Sequence, residues 1–213
     1  CNAAESHEQN QKRGSGAVFF TGCNLGCIYC QNIDISGVKQ NYKSNSEELY
    51  LNDKNRLKVP WKTDIRGKEV TIQELADIFI RLQNRDHAYN INLVTGVHFV
   101  PQIAEALTIA KKNGLNIPII YNSSGYEKAE TLRLLEGLID VYLPDMKYIS
   151  EDLAAEYSRA MDYPDVSKSA IKEMYRQVGD LAFYKIGDIT LIKKGVIVRN
   201  LLLPGHVRES ESV

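Results

Sequence analysis

Gly14–Asn32 reads GSGAVFFTGCNLGCIYCQN, and the way this stretch divides decides the fold. Ala17, Val18, Phe19 and Phe20 make a short apolar run, β-branched and aromatic and preceded by glycine, which is the pattern of a buried strand. Thr21 and Gly22 end the run. Cys23, Cys27 and Cys30 follow at once with the spacing C-x3-C-x2-C. The cysteines are therefore expected on the loop leaving the strand, where strand-based folds keep their chemistry.

Three thiolates this close together invite a metal. A closed structural zinc site wants four N or S ligands, usually as two separated pairs, and the chain has no second C-x2-C. A [4Fe–4S] cube has four irons, normally with one thiolate each, so three cysteines leave one iron open to a small molecule. Two alternatives stay open at this point: a zinc site that borrows a distant histidine, and unliganded structural thiols.

Composition narrows the field. The 213 residues suffice for one good core, as a single domain or an open α/β barrel. Lys and Arg (26) nearly balance Asp and Glu (27), so the basic footprint of a nucleic-acid binder is missing. No stretch approaches the ~20 apolar residues of a membrane span, and the polar residues before the first strand give no reason to expect a signal peptide. Four cysteines, three of them clustered, suit a reducing cytosol rather than a disulfide framework, so a cytoplasmic protein is expected.

Outward from the opening stretch, residues 1–13 read as a polar arm and residues 14–213 as the core domain. Cys1, in the arm, has no local partner and reads as an incidental thiol. Residues 37–68 are rich in Asn, Lys, Ser and Asp, too long for an ordinary connection, and read as an insertion or a lid, with Trp61 as its anchor. Thr71 followed by Glu74 makes a capping box for an amphipathic helix. Strands are expected at Asn90–Thr95, Asn116–Tyr121, Ile139–Leu143 and Gly195–Leu203. Helices are expected at Phe99–Asn113, Glu127–Glu136, Glu151–Met161 and Val166–Val178, with a hairpin or loop around Gly187. Strands alternating with helices imply right-handed βαβ units, parallel strands and an α/β class. Nearly every strand ends in polar or glycine residues: TGC, TGVH, NSSGY, PDMK and PGH. In a barrel those ends share one rim, where ligands bind.

The cysteine loop, with aromatic Tyr29 just before the third cysteine, resembles the signature loop of the radical S-adenosylmethionine enzymes. The resemblance runs from about Gly14 to His206. Within that superfamily the longer strings resemble the pyruvate formate-lyase activating enzymes and their relatives: NINLVT with HFVPQI, IPIIYNSSGY, VYLPDMKY, AIKEMYRQVGD and GVIVRNLLLPGH. It implies an open, partial βα barrel of the radical SAM type, usually of six βα units. Five strands are legible here, so a last unit is expected beyond Val213. It implies an oxidoreductase in which Cys23, Cys27 and Cys30 hold a [4Fe–4S] cluster. S-adenosylmethionine would chelate the open iron, and flavodoxin or ferredoxin would supply the electron. Hydrogen would then be abstracted, for an activase from a glycine of a partner glycyl radical enzyme.

The same resemblance places Tyr29, Thr95, Gly96, Asp145 and Lys147 at the S-adenosylmethionine site. Residue chemistry adds His98 at the rim, Asn122, Ser123 and Ser124 as hydrogen-bonding groups for a ribose or carboxylate (or, for Ser124, as a helix cap before Glu127), and Arg199. For Thr95–His98 the resemblance implies backbone contacts to the amino group, and for Lys147 contact with the carboxylate. Asp145 and Lys147, two apart, are expected on one side of their strand end. Arg199, inside an apolar strand, reads as buried and needs an anionic partner: the substrate or Asp145. Other readings stay in view. They are a radical SAM enzyme acting on a small molecule or RNA, an electron-transfer scaffold with Cys1 or a histidine as fourth ligand, and a zinc-binding module.

Overall fold

The computed structural model describes residues 13–36 and 67–211. The polar arm with Cys1, and residues 37–66 with Trp61, lie outside the described residues. Strand β1 (Ser15–Phe19) leads through the cysteine loop to a single-turn helix, α1 (Ile33–Ser36). Helix α2 (Ile72–Asn84) follows, with the expected capping box: Thr71 Oγ1 accepts the Glu74 N–H at 3.2 Å, and Glu74 Oε2 accepts the Thr71 N–H at 2.7 Å. Next come β2 (Asn90–Val94), a 3-10 turn at Val97–Phe99, α3 (Val100–Lys112) and β3 (Ile119–Ser123). Then α4 (Ala129–Leu132), a 3-10 turn at Arg133–Leu135, β4 (Val141–Met146), α5 (Glu151–Ser158) and α6 (Tyr163–Val178). The chain ends on β5 (Ala182–Ile186), β6 (Ile189–Val196), β7 (Arg199–Asn200) and α7 (Val207–Glu211).

The strands form one open, mostly parallel sheet in the order β1-β2-β3-β4-β6-β5, with β7 also against β4. Among the described residues only the hairpin β5–β6, which turns at Gly187, is antiparallel. An open α/β sheet of this order is compatible with part of a barrel. Several boundaries differ from the periodicity: the expected helix Glu127–Glu136 is reduced to α4 and a 3-10 turn, α5 stops at Ser158 rather than Met161, α6 starts at Tyr163 rather than Val166, and β4 starts at Val141 rather than Ile139. The third strand starts at Ile119 rather than Asn116, because the Asn116 and Ile117 N–H groups are taken by Gln83 Oε1 (2.8 and 3.2 Å) and Pro118 has none to donate. The fourth strand runs on through Pro144–Met146, so Asp145 lies within it, paired with Arg199 of β7. The expected fifth strand, Gly195–Leu203, is the end of β6 plus β7, interrupted at Ile197–Val198 but held in one register along β4.

Alternation across the sheet gives each face its job. Ile91, Leu93, Ile119, Tyr121 and Tyr142 point to the face covered by α2, α3 and α6, and form the main core with Phe79, Ile103, Leu107 and Met174. The opposite face carries Asn122, Asp145 and Arg199 at neighbouring register positions. A second, smaller core of Leu25, Tyr148, Ala154, Ala160 and Tyr163 lies beneath the cysteine loop. Sequence periodicity does not announce it, because it joins two distant segments. Among the described residues no helix is long and apolar enough to cross a membrane.

Glu127 is buried on the helix-covered side, 3 % exposed. Tyr121 Oη donates to its Oε2 at 2.8 Å, while Oε1 has no hydrogen-bond partner. Burial pushes the carboxyl up to about 6, offset in part by the Ser123 and Tyr121 hydroxyls. An acid whose pKa is raised in the folded state binds more protons folded than unfolded, so stability falls as pH rises between its unfolded pKa, 4.5, and about 6. Glu127→Gln is expected to remove that slope and to stabilise the chain by roughly 2 kcal/mol above pH 6. Urea unfolding at pH 5 and pH 7.5 checks this; an identical pH dependence in the variant contradicts it.

Candidate functional site

The cysteine loop is shaped by main-chain bonds. Gly22 sits at φ +92°, in the left-handed region, and its N–H donates to Ile35 O at 2.8 Å. The Gly26 and Ile28 N–H groups donate to Ser158 O (3.1 Å) and Tyr157 O (3.0 Å), carbonyls left over at the C-terminal end of α5. The Gly22 and Gly26 amides are thus engaged by protein carbonyls and hold the curl of the loop. Tight neighbours reinforce the shape. A Cβ at Gly22 would lie 2.9 Å from His98 Cδ2, and one at Gly26 would lie 3.0 Å from Arg159 Cδ.

Cys23, Cys27 and Cys30 are half-buried on this loop, and none is in a disulfide. Cys23 Sγ accepts the Leu25 N–H at 3.5 Å, and Cys27 Sγ lies 2.9 Å from Ser158 Oγ. Burial pushes the Cys23 and Cys27 thiols up, while the Lys147 charge pulls both down. Lys147 directly precedes Tyr148, whose hydroxyl shares Ser158 Oγ with Cys27, and this ties the Lys147 strand end to the loop. Among the described residues no three His, Cys, Asp or Glu side chains gather as a single-ion site. The donor set fits an iron–sulfur cluster: three cysteines free of disulfides on one strand-end loop, with Cys23 Sγ accepting an N–H and Cys27 Sγ in contact with a hydroxyl.

The polar cluster on the open sheet face forms beside this loop. Asp145 takes Lys147 Nζ on Oδ2 and Arg199 Nη2 on Oδ1, both at 2.6 Å. Arg199 Nη2 also donates to Asn122 Oδ1 at 2.8 Å. Asp145 and Lys147 are 19 % and 14 % exposed at the side chain, Arg199 41 %. Arg199 is therefore not the buried residue its apolar neighbours suggested. It lies on β7, where both residues are exposed, and Asp145 is the anionic partner it was expected to need.

The remaining predicted positions divide. Thr95 takes φ +61°, a costly conformation for a β-branched residue, and its N–H donates to Asn122 O at 3.0 Å. Gly96 packs inward, where a Cβ would meet Ile103 Cδ1 at 2.6 Å. His98 lies against Gly22 of the cysteine loop. Ser123 is 4 % exposed, and its Oγ accepts the Gly125 N–H at 2.9 Å, which shapes the turn. Ser124 Oγ accepts the Tyr126 N–H at 3.4 Å instead of capping a helix. Tyr29 is occupied through its hydroxyl by Tyr148, and burial raises its pKa.

Three residues that spacing did not flag hold these parts together. Tyr163 Oη accepts the Lys147 N–H (3.1 Å) and shares its single proton between the carbonyls of Ser124 (2.8 Å) and Asp145 (2.9 Å), tying two strand ends. Tyr148 and Ser158 link Tyr29 to Cys27. Tyr148 directly follows PDMK and had an aromatic signal; Ser158 had none. Gly125 lets the ends close: at φ +77°, its Cβ would lie 2.2 Å from Asp145 O. Gly125→Ala is expected to cost about 3 kcal/mol, from the left-handed backbone and the overlap together, and to displace Asp145. Denaturant unfolding checks it; a loss under about 1 kcal/mol would mean that the ends are not closed here.

Comparisons with known proteins bear on this geometry. The family model described as Radical SAM superfamily matches residues 17–196. An uncharacterized protein of Methanocaldococcus jannaschii is 28 % identical over 193 residues, covering 91 % of this chain and 46 % of the relative. The chain thus spans about half the length of that curated relative.

Proposed function

The chain belongs to the radical SAM superfamily, which uses a [4Fe–4S] cluster and S-adenosylmethionine for radical chemistry, and from that premise we propose that Cys23, Cys27 and Cys30 ligate the cluster and leave one iron for S-adenosylmethionine. The observation that carries this reading is the placement of the three-cysteine loop beside the Asp145–Lys147–Arg199 cluster. The chemistry supplied by the two cofactors when bound is one-electron cleavage of the sulfonium to methionine and a 5′-deoxyadenosyl radical that takes a hydrogen atom from substrate.

This chain's residues bind and orient. Lys147, held by Asp145, presents an ammonium with further donors to an anionic group such as the methionine carboxylate. Arg199 and Asn122 fix the neighbouring wall of the open face. Thr95–His98 offers strand-end backbone carbonyls to an amino group, and His98 braces the cysteine loop from the same segment. Tyr163 keeps the NSSGY and PDMK ends in register, so that these groups stay fixed relative to the sulfurs.

The target assigned, on the resemblance of the long sequence strings to activating enzymes, is a glycine Cα–H of a partner glycyl radical enzyme. Flavodoxin or ferredoxin is the electron donor. Anaerobic reconstitution with iron and sulfide, then S-adenosylmethionine and dithionite, is expected to yield 5′-deoxyadenosine. A reconstituted protein with full iron content and no 5′-deoxyadenosine overturns the enzymatic reading. With a glycyl radical enzyme added, a glycyl signal in electron paramagnetic resonance (EPR) is expected. 5′-deoxyadenosine without that signal removes the activase assignment and leaves a small-molecule or RNA substrate.

A further inference from the structure

Resting on the ligation of Cys27 proposed above, we propose that Tyr29, Tyr148 and Ser158 form a one-way hydroxyl relay that donates into Cys27 Sγ and tunes the reduction potential of the cluster. Ser158 is the last residue of α5 and 1 % exposed; Tyr148 is fully buried. Ser158 Oγ lies 2.9 Å from Cys27 Sγ and 2.8 Å from Tyr148 Oη, and Tyr148 Oη contacts Tyr29 Oη. The ring of Tyr163 packs edge-on against Tyr148 and fixes its position.

The direction follows from counting protons. Each hydroxyl carries one proton and accepts through its lone pairs. A ligating cysteine is a thiolate with no proton, so it can only accept. Ser158 must then give its single proton to sulfur and accept from Tyr148. Tyr148, with its proton committed, accepts from Tyr29. Every contact from Tyr29 to Cys27 through Tyr148 and Ser158 is satisfied in this order, and the Tyr29 hydroxyl also reaches Cys27 directly. Ligation of Cys27 therefore sets the polarity of the whole relay.

The consequence is electrostatic. A hydrogen bond into a ligand sulfur draws electron density from it and favours the reduced cluster, raising the potential. The two phenols behind Ser158 polarise its hydroxyl further, each by a fraction of the first effect. The relay is separable from packing. Ser158 holds the loop through its main-chain carbonyl to Gly26 N–H, and Tyr157 does the same for Ile28, so removing the Ser158 hydroxyl leaves both bonds in place.

The test compares the full chain with Ser158→Ala, Ser158→Thr, Tyr148→Phe and Tyr29→Phe. Each is reconstituted anaerobically, assayed for iron and sulfide, and titrated without S-adenosylmethionine while the reduced cluster is followed by EPR. Ser158→Ala is expected to keep its iron and sulfide but to lower the reduced-to-oxidised ratio at a fixed potential about tenfold, which for one electron is about 59 mV more negative. Tyr148→Phe should shift the same way by less, Tyr29→Phe should also shift the same way, and Ser158→Thr should restore the original value. An intact cluster with an unchanged potential in Ser158→Ala overturns the relay while leaving the proposed function standing. Should Ser158→Ala lose its cluster, Tyr148→Phe decides: a negative shift supports the relay and no shift overturns it. An unsubstituted chain that takes up no iron overturns the ligation itself.

Discussion

Cys27→Ser is expected to leave a folded chain that holds little iron and makes no 5′-deoxyadenosine, with activity down by ~10³-fold or more, since a missing thiolate removes one of three cluster ligands. The fold should survive because the sulfur is only half-buried and the loop is held by main-chain bonds: Gly22 to Ile35, Gly26 to Ser158, Ile28 to Tyr157. Serine places an oxygen where Ser158 already offers a donor, so the local contact is kept in kind. Circular dichroism separates loss of cluster from loss of fold. Cys23→Ser and Cys30→Ser should behave alike, whereas Cys1→Ser should retain full iron. A Cys27→Ser protein with unaltered iron, sulfide and turnover would remove Cys27 from the ligand set.

Asp145→Ala carries the second large effect. Asp145 neutralises two cations, Lys147 and Arg199, each at 2.6 Å. Removing it leaves both charges side by side on one sheet face with no anion between them. Lys147 is the better sheltered, so its lost partner accounts for most of an expected destabilisation of about 1.5–3 kcal/mol. Arg199 is 41 % exposed, and water screens much of its share. The larger consequence is positional. Once Lys147 is free to swing, affinity for S-adenosylmethionine should fall roughly 10- to 100-fold, as when a supporting group behind a ligand is lost. Asp145→Asn, which still accepts hydrogen bonds but carries no charge, should fall between the two. Equilibrium dialysis of labelled S-adenosylmethionine against the reconstituted protein, with a denaturant curve alongside, checks both parts. Unchanged affinity in Asp145→Ala would detach this cluster from the substrate site.

The parts that sequence exposed are those with a local signal. The apolar run into C-x3-C-x2-C placed the cysteines on a strand-end loop, and the two-residue spacing of Asp145 and Lys147 predicted a shared side, which their ion pair shows. The capping box at Thr71 was legible for the same reason. What remained hidden depends on distant segments meeting. Ser158 reaches Cys27 across 131 positions, and Tyr163 ties Ser124 to Asp145, contacts with no periodicity to betray them. Arg199 misled through its apolar neighbours, because Ile197, Val198 and Leu202 are themselves exposed, so the apolar run there does not mark a buried strand. The strand at Ile119 began late for a reason outside itself, the Gln83 side chain of α2.

The account rests on an iron at this loop that takes its last ligands from S-adenosylmethionine. Pulsed double-resonance spectroscopy of the reduced, reconstituted protein with S-adenosylmethionine labelled with ¹⁵N at the amino group and ¹⁷O at the carboxylate tests that most directly. Hyperfine coupling of both labels to the cluster is the predicted result. A cluster signal unaltered by the labelled compound, at concentrations that saturate binding, would contradict it.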